Sequence, residues 1–310
     1  MRPFKFLSDL GALLVFALLF SQVGFAQTKS ASGNTTFTVT AVGKKDTDVS
    51  NIGRDDLQFF QGKERKQIGD WRKGESLFLA ILIDDSLDTS FGGQVEYLKE
   101  FIMSLPPATS VMVGYVTDNG TRVVQDFTTD HALAAKTIRL PIGIGALGSS
   151  PYLGALDLLK RWPKTGPRRS IVLVTSGIDF FRGGGFGAFY PDLDSVISRA
   201  ERQNTNIWSV YYPSSSHRGR SFFRGNYAQN NMEKLSQDTG AESYYLGVGT
   251  PVSIKPYLDE INNHLNNQYL LTFGATGGDK GKYVGVKVKT ELKDVEFFTP
   301  ASVFVPPSGQ

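Results

Sequence analysis

The stretch LFLAILIDDSLDTS, residues 77–90, decides the fold. Leu77, Phe78, Leu79, Ala80, Ile81, Leu82 and Ile83 form an unbroken apolar run. A strand with no wet face is buried on both sides, as central strands of parallel sheets are. The run stops at Asp84, Asp85, Ser86 and Asp88. In open α/β sheets, ligands bind just beyond the carboxyl ends of such strands. The three carboxylates and one hydroxyl clustered there are oxygen donors suited to a hard cation. An Asp/Ser turn that caps the next helix uses the same residue types. The stretch alone supports both readings.

Working outward, the pattern returns. Residues 170–175 (SIVLVT) are a second wholly apolar strand, ending in Ser176-Gly177-Ile178-Asp179. Residues 111–116 and 206–211 are further strands. Between them lie helix periodicities: Val95, Leu98, Ile102 and Leu105; Leu153, Leu156, Leu159 and Trp162; Leu193, Val196, Ile197 and Ala200; Ile254, Leu258, Ile261 and Leu265. Pro151 suits a first helical turn. Asp118-Asn119-Gly120 is a hairpin turn that returns residues 122–127 antiparallel, as at a sheet edge. Strands alternating with helices imply right-handed crossovers and a sheet covered on both faces. The expected fold is α/β: a doubly wound, mostly parallel sheet over residues 75–266, with small β elements on both flanks, 37–74 and 267–305. Residues 27–36 read as a disordered lead-in, 212–229 as a loop before a short helix at 232–238, and 306–310 as a tail.

The first 26 residues read as a secretion signal. Arg2 and Lys5 precede an apolar core, and Gly24-Phe25-Ala26 is a small-x-small cleavage site. The apolar stretch is short for a membrane span, which needs about 20 residues. The expected location is secreted or periplasmic, with no span after cleavage; the alternative is an anchor retained at the uncleaved segment. The chain of 310 residues has no cysteine, which excludes disulfides, thiolate nucleophiles and cysteine-held metals. A formal net charge of +3 sets no global electrostatic role. His131, His217 and His264 are far apart in sequence, which disfavours a histidine-rich metal site.

Three strand ends bring Asp84/Ser86/Asp88, the Ser149-Ser150 loop and Ser176/Asp179 to one edge of the sheet. Here the sequence resembles the von Willebrand factor A domain family. That family has an Asp-x-Ser-x-Ser loop after its first apolar strand, a Thr in a later loop and an Asp after its fourth strand, together a metal-ion-dependent adhesion site. The flanks resemble bacterial, notably acidobacterial, secreted proteins related to that family. Arg54-Asp55-Asp56-Leu57-Gln58-Phe59-Phe60, Gly62-Lys63 and Gln67-Ile68 carry the likeness at one end, and Asn267-Gln268-Tyr269-Leu270-Leu271 with residues 287–289 at the other. The resemblance implies a divalent cation (Mg²⁺, Mn²⁺ or Ca²⁺) held by Asp84, Ser86, Asp88 and Ser150, with Ser149 the second choice for the Thr position. Ser176, standing where the family has Asp, and Asp179 or Asp85 would assist through water. Asp88 in place of the third family residue, a Ser, adds a charge that weakens capture of a partner's carboxylate.

Two more segments follow strand ends, and their Arg and aromatic residues suit a protein-binding rim: Phe186, Arg218, Arg220, Phe222 and Arg224. A mobile solvated loop has the same composition. Nucleic acid is not expected of a secreted chain. Gly183-Gly184-Gly185 lacks the Lys-Ser/Thr of a phosphate loop, and no Ser lies in Gly-x-Ser-x-Gly. The expectation is a non-catalytic binding or adhesion protein whose partner is a protein or other extracellular macromolecule. The first alternative is a scaffold protein with a vestigial metal site; the second is a metal-dependent hydrolase. The residues name no ligand and no oligomeric state.

Overall fold

The computed structural model describes residues 33–45, 47–143, 148–163, 168–181, 191–215, 222–245 and 249–307. The apolar run of the opening stretch becomes β5 (Leu77–Asp84). Parallel partners flank it: β8 (Arg168–Thr175) on one side and β6 (Thr109–Thr117) on the other. Beyond them lie β9 (Thr205–Tyr211), β10 (Ser243–Tyr244) and β7 (Gly120–Thr128), in the order β10-β9-β8-β5-β6-β7. Only β7 runs antiparallel, closing the hairpin at the sheet edge.

The alternation within β5 feeds two cores. Leu77, Leu79, Ile81 and Ile83 face α1 (Val95–Ser104), α2 (His131–Lys136) and α6 (Lys255–Asn266). Ala80 and Leu82 face α3 (Pro151–Arg161) and α4 (Pro191–Gln203), with Leu235 from α5 (Phe222–Asp238) in the same cluster. Both faces are therefore dry, which is why this strand carries no polar residue until its last position. Pro151 opens α3, where a missing N–H costs nothing.

The two flanks do not stay apart. β1 (Gly33–Gly43) pairs antiparallel with β11 (Gln268–Ala275) from Gly33↔Ala275 to Thr40↔Gln268. One sheet has the order β13-β1-β11-β4 and the other β14-β12-β2-β3. The remaining strands are β2 (Leu57–Gln61), β3 (Glu64–Lys66), β4 (Asp70–Lys73), β12 (Lys282–Thr290), β13 (Val295–Phe298) and β14 (Ser302–Val305). Val284, Val286 and Val288 alternate inward from β12 and meet Phe37, Phe59, Leu271 and Phe273. The ends of the chain thus build one sandwich, because neither end holds enough strands to bury its own apolar face.

Two sequence expectations change. Residues 33–36, read as part of a disordered lead-in, are the first four residues of β1, held by the ladder to β11. The loop read across 212–229 gives way at Phe222, where α5 begins and continues to Asp238. Its Gly and Asn content hid the helix from propensity, and packing against the main sheet overrides it. Among the described residues no helix is long and apolar enough to cross a membrane. The segment read as a signal lies outside the described residues.

Candidate functional site

β5 ends on two adjacent, fully buried carboxylates with opposite surroundings. Asp85 is paired with Arg139, whose two terminal nitrogens reach its two oxygens at 2.7 Å each. The amide of Ile142 adds a bond at 3.2 Å. Arg139 lies over the Tyr115 ring at 3.8 Å from its centroid, and its own amide donates to the Tyr115 hydroxyl at 2.7 Å. A bidentate, ring-stacked guanidinium is the strong form of an ion pair. Asp85 is thereby fully engaged inside the protein.

Asp84 has no such partner. Its Oδ1 accepts from the Ser86 amide (3.0 Å), the Ser86 hydroxyl (2.8 Å) and the Ser149 hydroxyl (3.3 Å). Its Oδ2 accepts from the Thr175 hydroxyl at 2.7 Å. Among the described residues no cation touches it. Burial pushes its carboxyl above the ordinary value, against the lowering effect of these hydrogen bonds.

The other expected ligands are placed as follows. Ser86 sits on Asp84. Asp88 is buried and caps a 3-10 turn over Thr89–Gln94, accepting from the Ser90 amide at 2.9 Å. The backbone of this loop is tied to the segment after β9: Asp88 N donates to Pro213 O, and Ser215 N to Ser86 O, both at 3.0 Å. Ser150 is the N-cap of α3 and accepts from the Leu153 amide at 3.3 Å; its neighbour Ser149 is the one that reaches Asp84. Ser176 accepts from the Ile178 amide at 3.4 Å. Asp179 is buried after β8. Asp88 after β5, Ser150 at the start of α3, and Ser176 and Asp179 after β8 make no hydrogen bond to Asp84.

Of the expected rim residues, Phe186, Arg218 and Arg220 lie outside the described residues, as does the side chain of Phe222. Arg224 is half-buried on α5. The rim is nonetheless apolar where it is described. Leu140 and Ile142 beside Asp85, Phe181 after β8, and Phe223 and Tyr227 on α5 are all exposed, Phe223 to 69%. Helix α5 reaches this edge because Gly177, at φ +69°, lets it close in. A Cβ there would lie 2.8 Å from the Ala228 carbonyl oxygen.

Sequence reasoning missed Thr175 and Arg139. Thr175 is the last letter of an apolar strand and was read as strand rather than site. Arg139 stands alone between elements, and no spacing rule links it to Asp85. It also missed a group that lies away from the rim. Ligand atoms of Glu242, Glu260 and His264 fall within 4.8 Å of one another. Glu260 and His264 are one turn apart on α6, and His264 Nδ1 lies 3.1 Å from the Tyr244 hydroxyl. Burial pulls the His264 imidazole down to about 4, so it is neutral at pH 7.

The parallel sheet with a single antiparallel edge strand, helices on both faces and an Asp-x-Ser loop closing its central strand define the fold. It is von Willebrand factor A-like. No family model matches the chain, and no curated protein matches it. Several solved structures align with it at low identity. An aerotolerance-related membrane protein from Bacteroides fragilis, with multiple mutations to serines, is 14% identical, with TM-score 0.41, over 62% of this chain and 99% of that one. A von Willebrand factor type A protein from Catenulispora acidiphila is 10% identical, with TM-score 0.44, over 92% and 76%. The SpRpn10 VWA domain is 15% identical, with TM-score 0.40, over 60% and 95%.

Proposed function

We propose that this chain is a non-catalytic protein-binding module, secreted or periplasmic, that engages its partner through the carboxyl rim of the main sheet. A divalent cation (Mg²⁺, Mn²⁺ or Ca²⁺) at Asp84 completes the surface. The observation that carries the reading is Asp84: a buried carboxylate met only by neutral donors, at the edge where exposed Ile142, Phe181, Phe223 and Tyr227 cluster in the fold. The donor set fits a hard cation, being all oxygen and short of positive charge. Asp84, Ser86, Asp88 and Ser149 are the residues to hold it, with Ser176 and Asp179 acting through water. The bound ion would supply a positive pole for a partner's carboxylate, and the aromatic rim would supply contact area.

Absence of catalysis is supported by where the hydroxyls go. Ser86, Ser149 and Thr175 all turn onto the Asp84 carboxylate, and none of them is bonded to a histidine among the described residues. Of the described histidines, His131 bonds the Thr109 carbonyl and His264 the Tyr244 hydroxyl. A second reading has its own support. Four donors fill the oxygens of Asp84, so the carboxyl also works as a latch joining β5, the loop before α3 and β8 without any ion. Partner binding would then rest on the apolar rim.

Capture of a glutamate-rich peptide separates the two. The metal reading expects capture in Mn²⁺, loss of it in EDTA, and tighter capture by Asp88→Ser, which removes one charge beside the ion. Capture that ignores EDTA contradicts it and favours the latch.

A further inference from the structure

The far end of the main sheet carries the opposite charge. A cleft of about 630 Å³ opens where the sheet meets the sandwich, and five cationic side chains line it: Arg72 of β4, Lys160 of α3, Arg169 of β8, and Arg199 and Arg202 of α4. Among the described residues that line it none is acidic. A second cavity of about 750 Å³ shares Arg72 and Leu270 with it and adds Lys73, Arg168 and one acid, Glu75.

Some of this charge serves the fold. Lys160 and Arg202 lie in the last turns of their helices, where cations offset the helix dipole. Arg202 also covers the Phe304 ring at 4.1 Å from its centroid. Arg168 is buried on carbonyls, donating to Leu265 O at 2.7 Å and Ser76 O at 3.1 Å. Arg72 reaches Asp70 in an exposed pair at 3.3 Å. Arg169 donates to Gln203 O at 3.1 Å, and Arg199 is left over. Neither it nor the Lys160 ammonium has an ion pair or side-chain hydrogen bond among the described residues. Like charges gathered in one concavity repel, and among the described residues no carboxylate lines it. Guanidinium forks match the oxygens of phosphate in pairs, and the volume is that of a small-molecule site.

We propose that this cleft binds a compact, multiply charged oxyanion of the phosphate class. The site is independent of Asp84 and of any cation there. Two sources share the chemistry, inorganic polyphosphate and a phosphorylated organic molecule, so tripolyphosphate and a nucleoside triphosphate are the two probes. The test is calorimetric titration of the mature chain in EDTA at about 150 mM salt, where long-range attraction is screened. Wild type is expected to bind at least one probe at a single site. Tighter binding of the nucleotide identifies the organic source, and equal or weaker binding the inorganic one. Lys160→Ala with Arg199→Ala is expected to weaken binding about tenfold or more, with little change in melting temperature, since the lost helix-dipole contact and the relieved repulsion oppose one another. The control pair Lys282→Ala with Lys287→Ala, two exposed lysines of β12, removes the same net charge and is expected to change affinity less than about twofold. Failure of wild type to bind either probe overturns the proposal. So does an equal loss in both pairs, which would mark a net-charge effect without a site.

Discussion

The two ends of the main sheet carry opposite charge and obey the same logic. At the carboxyl end, Asp85 is answered inside the protein by Arg139, while its neighbour Asp84 is met only by hydroxyls and one amide. At the amino end, Arg168 is answered by carbonyls, while Arg199 on α4 has no ion pair or side-chain hydrogen bond among the described residues. In each place, like charges divide into one that holds the fold and one that the fold leaves without a charged partner. A buried carboxylate without a cation, such as Asp84, costs stability, so it persists where something outside the chain offsets it. That difference, more than any motif, points to where ligands bind.

The comparison breaks most visibly at Arg139. Arg139→Ala strands a buried carboxylate, and removing one partner of such a pair costs about 3–5 kcal/mol. Denaturant unfolding measures it. A loss under about 1 kcal/mol would mean that Asp85 is no better answered than Asp84, and the contrast would fall.

The next effect is pH-dependent and lies at His264. Its folded value is about 4, against 6.5 unfolded. The unfolded chain therefore takes up the proton first as pH falls, and stability is lost between about pH 6.5 and 4. At 1.36 kcal/mol per unit the loss approaches roughly 3 kcal/mol. Glu242, Glu260 and Tyr244 face the same ring, and burial raises all three. The quantity to measure is therefore the extra loss of wild type over His264→Gln across that window, since both chains share the acids. Equal acid slopes in the two chains would show that His264 is not held neutral.

The smallest effect sharpens the contrast inside one dipeptide. Ser149→Ala and Ser150→Ala should each cost about 1 kcal/mol, one by depriving Asp84 of a donor and the other by removing a helix cap. Only Ser149→Ala should weaken the response to added cation. If Ser150→Ala weakens it instead, the ligand is the residue that the resemblance placed at the Thr position.

Much of this was legible in the sequence. The apolar runs ending in Asp84 and Ser176 gave the parallel sheet, its carboxyl rim and the place of Asp84 and Ser86. What stayed hidden depended on tertiary contact. Ser149 and Ser150 are adjacent hydroxyls, and only the start of α3 decides which turns inward. Arg139 meets Asp85 through a 54-residue separation that no local pattern records. The union of β1 with β11 needs a pairing across the whole chain, and the cationic cleft draws its residues from β4, α3, β8 and α4. Such features belong to the assembled surface rather than to any stretch of it.

The central claim rests on Asp84, and a thermal melt of residues 28–310 tests it most directly: first in EDTA, then with Mg²⁺, Mn²⁺ or Ca²⁺. A cation at about 100 times its dissociation constant stabilises by about 2.7 kcal/mol, roughly 5 °C or more for a chain of this size. The account predicts a shift of that order in wild type and none in Asp84→Asn, which keeps the shape and removes the charge. No shift with any cation, or the same shift in Asp84→Asn, would contradict it and leave Asp84 as a latch.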